Sequence, residues 1–347
     1  MKNWKRLSLL LCLLLGLSGC GQAPDSSSAS EEPDPIRLET LTVELPRELD
    51  TAGAEAAMER LPQLLSQQGV EVGQVDVTFG TSYGATAAAL EEGGVQLAFL
   101  PAETFVELCE TAVPVLADAA PTLTLTEQSP LTEWNAQPAQ RAAGYTAGTY
   151  AMVCAGPSQY GQKLAGLAQD RSLTWEELAH ARWGVLDGDS LAGYQCLELW
   201  LEDRYEGSGI TDLPDVTAYS GWEELLRAAA EEQVDCIPLP ADQREEKQEL
   251  WTLEKSRTDA AGQSGFGRAA PIAQELPVLA LTPRLYSFVA AVSGQEETLC
   301  QPAFQTALQA ALEQAFSDPA DRLAALGAAW YAPVEPEDLA GLRRLLL

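Results

Sequence analysis

Histidine is almost missing from this chain: His180 is the only one in 347 residues. No Ser/His/Asp set, Cys/His pair or metal-ligand spacing can be assembled around it, so the usual machinery of nucleophilic and metal-assisted catalysis is absent. It falls near the end of a predicted helix, where an exposed side chain is expected. Cations are scarce too, with 21 Lys and Arg against 51 Asp and Glu and a net charge of −30. Phosphate backbones attract basic surfaces, which excludes nucleic acid as a partner. Acid pairs such as Asp187 and Asp189 are plentiful in so acidic a chain and do not by themselves point to an enzyme. Cysteines are few and never paired as CxxC. Beyond Cys12 and Cys20 there remain Cys109, Cys154, Cys196, Cys236 and Cys300, an odd set that reads as buried free thiols rather than a disulfide or zinc framework. No apolar run reaches the roughly 20 residues a membrane-spanning helix needs.

What is present begins at the N-terminus. Lys2, Lys5 and Arg6 precede the apolar run Leu9 to Leu15, which ends at Leu17-Ser18-Gly19-Cys20. A charged start, a short apolar core and small residues before a cut are the layout of a secretory signal, here 1–19. The last four residues resemble the bacterial lipobox, which implies diacylglyceryl on Cys20 and a lipid-anchored protein on the outer face of the membrane. Two or more acyl chains suffice for stable anchoring. The segment 20–36 continues as GQAPDSSSASEEPDP, too polar to offset its ordering entropy, and reads as a stalk spanning about 20 Å. Losing the leader with its three cations takes the net charge to about −33.

The rest is long enough for two lobes. Over the whole chain a hydrophobic content of 46% and a mean hydropathy of −0.08 describe a globular body. Strand patterns at Leu41–Leu45, Val75–Phe79 and Val95–Leu100 alternate with helical patterns at Thr51–Gln68 and Tyr83–Glu92. A second set follows: a helix Leu173–Ala181 with Thr174 and Glu177 at capping-box spacing, strands Trp183–Leu186, Val216–Tyr219 and Val234–Ile237, and helices Ser190–Tyr205 and Trp222–Glu232. This alternation predicts α/β lobes, each with a mostly parallel sheet flanked by helices. Two stretches, 118–148 and 254–270, read as irregular, either insertions or lids.

Several pieces in this order carry a resemblance. Gln96-Leu97-Ala98-Phe99-Leu100-Pro101-Ala102-Glu103-Thr104-Phe105 is similar to "DIAWLGPLSY". Ser172 to Leu178 is similar to "SLADLKGK", and Asp187 to Tyr194 to "DPTSTSGY". Gly327 to Val334 is similar to a closing "G..GFVPV". Together they resemble the phosphate/phosphonate-type substrate-binding proteins of ABC importers, over most of 41–347. The resemblance implies a two-lobed type II periplasmic-binding-protein fold, with lobe 1 from 37–150 and 277–347 and lobe 2 from 151–276. It also implies a small-molecule ligand, an ABC permease as partner, a monomer, and neither cofactor nor metal. The departures fit a less anionic or more aromatic ligand. Trp222 stands where "SGGH" has histidine, two hydroxyls of "TSTSGY" are lost, and Phe105 and Pro101 replace tyrosine and glycine.

Three predicted helix starts follow strands and carry hydroxyls: Thr81-Ser82-Tyr83, Ser190 to Tyr194 with Gly193, and Ser220 to Trp222. Helix N-termini present free N–H groups that hold oxyanions, and α/β sheets bind ligands at the carboxyl ends of their strands. Ser190 and Ser220 can equally be N-caps, Ser220 with Glu223 at capping-box spacing, and Tyr83, Tyr194 and Trp222 can line the cleft or pack the lobes. The acidity suits a cationic or zwitterionic ligand, with Glu103, Asp187 or Asp189 as partners. Hinges are expected near 149–155 and 276–280. The alternative to import is a sensor or interaction module on the same fold.

Overall fold

The computed structural model describes residues 36–46, 51–137, 139–317 and 330–346, with backbone only at 51–54 and 316–317. The signal segment, Cys20, the stalk up to Pro35, and Gly327 to Ala329 lie outside the described residues. Twelve strands are described: β1 Ile36–Leu45, β2 Val70–Phe79, β3 Leu97–Pro101, β4 Val113–Leu123, β5 Arg141–Ala147, β6 Ala151–Ala155, β7 Trp183–Val185, β8 Val216–Ala218, β9 Cys236–Pro240, β10 Val278–Leu281, β11 Phe288–Val292 and β12 Tyr331–Pro333. They form two sheets. The first runs β12-β4-β11-β3-β1-β2 with β5 on β4, and the second runs β10-β6-β9-β7-β8.

The βαβ units expected from the alternating pattern are parallel. Leu45 lies opposite Phe79 in β1 and β2, Val43 opposite Leu97, and Trp183 opposite both Val216 and Cys236. The strands that arrive by crossing between sheets enter antiparallel, β11 against β3 and β4, and β6 against β9 and β10. Each sheet is therefore mixed where the pattern pointed to mostly parallel strands.

Apolar runs explain the centres. Leu97 to Leu100 in β3 and all of β6 are buried, as strands covered on both faces must be. Helices Leu61–Gln67 and Pro302–Ser317 cover one face of the first sheet. Helices Tyr83–Glu91, Ala102–Leu108 and Ala340–Leu346 cover the other. Helix Cys196–Arg204 buries Cys196, Leu197, Leu199, Trp200 and Leu201, apolar on more than one side. It gives Cys196 and Leu199 to a cluster with Phe105 of the first sheet's helices, and Leu197 and Leu201 to the core of the second sheet. Of the five cysteines in the body, all are free and four are buried.

Two expectations are corrected. The stretch 118–148 is not irregular: the end of β4, helix Leu131–Ala136 and β5 fill it, with Pro121 opposite Tyr145. Arg141 to Thr146 is exposed on both sides, so it carries no hydrophobic alternation, and a proline is tolerated in so exposed a ladder. The crossover expected at 276–280 lies inside the second sheet, because Val278 and Leu281 of β10 pair with Cys154 and Met152. The lobe boundary drawn at 276/277 thus cuts off a strand of that sheet. The stretch 254–270 does lack helix and strand, and it is pinned by buried Phe266 against Trp251.

The chain crosses between sheets at Gly148–Tyr150 and Thr282–Tyr286, and the two crossings are bonded to each other. Thr149 and Leu285 exchange both backbone bonds at 2.8 Å, and Thr282 bonds Ala151 through its N–H (2.9 Å) and its Oγ1 (2.8 Å). Gly148 adopts φ +70°, and a Cβ there would sit 2.6 Å from the Tyr286 ring and 2.7 Å from the Leu285 carbonyl. Both the backbone conformation and the space demand glycine. Gly148→Ala is expected to cost about 2 kcal/mol in urea unfolding, by strain and overpacking together.

In the second sheet, Asp235 is 2% exposed and accepts from Ser158 Oγ (2.5 Å) and from Arg182 through N (2.9 Å), Nε (3.0 Å) and Nη2 (2.7 Å). Ser158 in turn caps helix Gln159–Gln169. Burial pushes the Asp235 carboxyl up, but the Arg182 and Ser158 bonds outweigh it and hold the pKa below its ordinary value. Its stabilisation is therefore full above the unfolded pKa of about 3.9 and lost as pH falls through the lower folded value. The stability gap between the native chain and Asp235→Asn, read by denaturant titration, should be widest near neutrality and shrink in acid.

Candidate functional site

The registers bring particular strand ends to two edges. Phe288 lies opposite Pro101 and Tyr331 opposite Asp118, so β1 and β3 end, and β4 passes at Asp118 toward its pairing with β5, where β11 and β12 begin. In the second sheet Ala151 lies opposite Pro240 and Val185 opposite Ala218, so β7, β8 and β9 end where β6 begins. The crossings join these two edges, and a cleft bounded by carboxyl ends of strands results.

The expected hydroxyl residues lie at this cleft's helix starts, with unequal roles. Ser82 is exposed and caps helix Tyr83–Glu91 by accepting from Ala85 N at 3.2 Å, and Thr81 before it is exposed. Tyr83 is half-buried, edge-on to Phe288 at 6.2 Å. Ser190 caps the π-turn Leu191–Gln195 by accepting from Gly193 N at 3.2 Å. Gly193 is buried, and a Cβ there would fall 2.6 Å from Ser190 Oγ and 2.7 Å from Leu186. Ser220 differs from expectation, because the cap position of helix Trp222–Ala230 belongs to Gly221. Ser220 instead donates to Glu224 Oε2 from Oγ at 2.8 Å and from its backbone N at 3.4 Å, so Glu224 and not Glu223 closes this helix start. Tyr83 and Trp222 pack against one cluster that also holds Ala192, Phe105 and Tyr286. Tyr194 turns the other way, toward the core with Trp183 and Leu197. Across the cleft, Gln195 Nε2 reaches Glu103 Oε1 at 3.4 Å.

Between the crossings and the β4–β5 arm lies a cavity of ≈300 Å³ that includes none of those eight residues. Its walls are Ala120 to Leu123, Leu125 to Gln128, Thr146, Gly148 to Tyr150, Pro240 to Asp242, and Arg284. Its volume is at the lower end for small-molecule sites. Arg284 organises it. Its Nε and Nη2 donate to the two oxygens of Glu127 at 3.1 and 2.8 Å, its Nη1 donates to Ala147 O and Gly148 O at 2.9 and 3.1 Å, and it lies 4.8 Å over the Tyr150 ring. Burial raises the Glu127 pKa, but the Arg284 bond outweighs it and leaves the carboxyl below its ordinary value. For Asp242, burial wins and the carboxyl is held above its ordinary value, against a bond from Gln243 N at 2.9 Å.

Sequence reasoning missed these cavity residues because most of them sit in 118–148, read as irregular, or at the turns after β9 and β10. One signal was available: in so cation-poor a chain, Arg284 stands alone between two apolar strand patterns. Among the described residues there is no group of three metal-ligating side chains, and no helix is long and apolar enough to cross a membrane. His180 is exposed and its Nδ1 is 2.6 Å from Glu176 O.

A family profile described as "ABC transporter, phosphonate, periplasmic substrate-binding protein" matches residues 45–339. The chain belongs to this family. The two-sheet α/β architecture is accordingly the two-lobed fold of periplasmic binding proteins. Among solved structures, the Mycoplasma hyorhinis protein Mh-p37 is similar over 90% of this chain and 100% of its own, with TM-score 0.51 and 9% identity. A binding protein component of an ABC phosphonate transporter from Pseudomonas aeruginosa covers 88% of this chain and 85% of its own, at TM-score 0.35 and 13% identity. A Prochlorococcus marinus protein in complex with methylphosphonate covers 88% and 97%, at TM-score 0.34 and 11% identity. At such identities the likeness concerns fold alone. No curated protein matches the chain.

Within this family member the Glu127–Arg284 pair is buried enough to matter, with side chains 26% and 16% exposed. Removing one partner leaves the other partly desolvated and alone. Glu127→Ala is expected to lower unfolding stability by about 2 kcal/mol, and the double variant Glu127→Ala/Arg284→Leu by less than the sum of the two single changes, as a double-mutant cycle would measure.

Proposed function

We propose that this chain is the extracytoplasmic substrate-binding lipoprotein of an ABC importer. It is anchored by lipid on Cys20 and captures a small solute between two lobes. The observation that carries the reading is the cavity at the crossings, closed by residues of both sheets, in a chain whose family binds transport substrates. Lobe closure would turn about Gly148–Tyr150 and Thr282–Tyr286, the short segments that join the sheets. Lobe 1 would then comprise 37–150 and the chain after Thr282, and lobe 2 the segment between. Helix starts at Ser82, Ser190 and Trp222 would complete the cleft walls, and a permease would recognise the closed form. Capture rather than turnover is the reading, because the family is one of transporter substrate-binding proteins.

Two measurements test it. Expressed with its leader in a bacterial host, the chain should incorporate labelled fatty acid and fractionate with membranes, and Cys20→Ser should lose both. Binding should appear as a rise in melting temperature with at least one member of a panel of phosphonates, phosphite, phosphate, amino acids and organic cations. A ligand at about 100 times its Kd adds about 2.7 kcal/mol of stability. A panel without any stabilising member counts against the importer.

A further inference from the structure

We propose that the substrate is an organic cation, held in the cavity with its ammonium or guanidinium group against the carboxylate of Asp242. The inference rests on the binding-protein reading above and narrows it. It follows from the charges around the cavity. Three charged side chains line it: Glu127, Asp242 and Arg284. Both Glu127 oxygens are on Arg284, and the guanidinium is further held by two backbone carbonyls, so these two charges cancel in place. Asp242 is different. Its carboxylate is bonded only by backbone N–H groups, that of Gln243 at 2.9 Å among them, and it joins no ion pair among the described residues. Arg141, whose charge also acts on Asp242, is bonded to Glu246 at 2.6 Å. The cavity lining therefore keeps one carboxylate without an ion-paired partner.

Three helix starts near the cleft reinforce this. A free helix N-terminus would favour an oxyanion, and those at Ser82 and Ser190 have no acid in the first turn, but these three carry acids of their own. Glu224 occupies the N–H and the hydroxyl of Ser220, Glu103 sits in the first turn of helix Ala102–Leu108, and Asp242 in that of helix Ala241–Glu246. Each such carboxylate offsets the positive end of its helix. An incoming phosphonate would meet like charge and no free cationic side chain in the cavity lining. A cation meets the opposite. Burial raises the Asp242 pKa, and a cation beside the carboxylate would offset that rise. The remaining walls, with Leu123, Leu125 and Pro240, suit a short carbon chain behind the charged head.

The test uses the full chain in detergent, with choline and putrescine as cationic probes and methylphosphonate and inorganic phosphate as anionic ones. At millimolar concentration, choline or putrescine should raise the melting temperature by several degrees, and the two anions should not. Asp242→Asn, which keeps the side-chain shape and an oxygen for the Gln243 N–H, should weaken the cation response about tenfold or more in apparent affinity. Thr146→Trp, placed on the exposed arm where it fills the cavity without altering charge, should abolish the response whatever happens to the Asp242 variant. Stabilisation by methylphosphonate or phosphate without either cation overturns the inference and leaves the importer reading standing. A cation response that survives in both variants also overturns it, because the cation is then held elsewhere. A chain that responds to none of the four, while another solute of the wider panel stabilises it, overturns the cation inference alone. No response to any solute overturns both.

Discussion

The crossing segments are the constraint on which the rest of the structure depends. Two strips of backbone, around Thr149 and around Leu285, bond to each other and so tie both sheets to one line. Glycine at 148 is needed for that approach, and Arg284 then draws the β4–β5 arm down by bonding Glu127 and the carbonyls of Ala147 and Gly148. Asp118 adds a third tie, accepting from the backbone N–H groups of Ser287 (2.7 Å) and Phe288 (3.1 Å) where β11 begins. The cavity exists because these ties hold three separate stretches of chain around the same space.

Acidity is arranged in this fold, not merely abundant. Acids in general sit on the surface, where salt screens them beyond about 8 Å. A few do local work. Asp235 fixes Ser158 and Arg182, Glu127 neutralises Arg284, Glu224 closes a helix start, and Asp242 lines the cavity without an ion-paired partner. A family associated with phosphonate transport is thus represented here by a cleft in which the helix start at Ser220 is answered by its own carboxylate and those at Ser82 and Ser190 are not.

Much of the fold was legible in the chain. The strands around Val43, Val77, Phe99, Trp183 and Ile237 announce themselves as apolar runs between helical patterns, and the capping serines at 82 and 190 stand where a hydroxyl precedes a helical repeat. The cap Thr174, accepting from Glu177 N, was legible in the same way. Other parts were not. The predicted helix 51–68 is two helices, Thr51–Glu59 and Leu61–Gln67, with Pro62 in the first turn of the second, where it has no partner to lose. The β4–β5 arm has solvent on both sides of β5, so its residues never needed the alternation that periodicity reads. Tyr194 was placed by its motif and not by its environment, and only packing shows that it faces the core of the second sheet.

By itself the sequence determined the α/β class, the helical and strand periods, the scarcity of cations and the family likeness, because these are properties of neighbouring residues and of totals. Tertiary structure decided which strands enter antiparallel, where the chain crosses between sheets, and which carboxylates are answered. Those outcomes depend on contacts between residues more than a hundred positions apart, such as Arg284 with Glu127 and Thr149 with Leu285. A charge count can say that acid is in excess. Only the fold can say that, in the cavity, the excess is one carboxylate at Asp242.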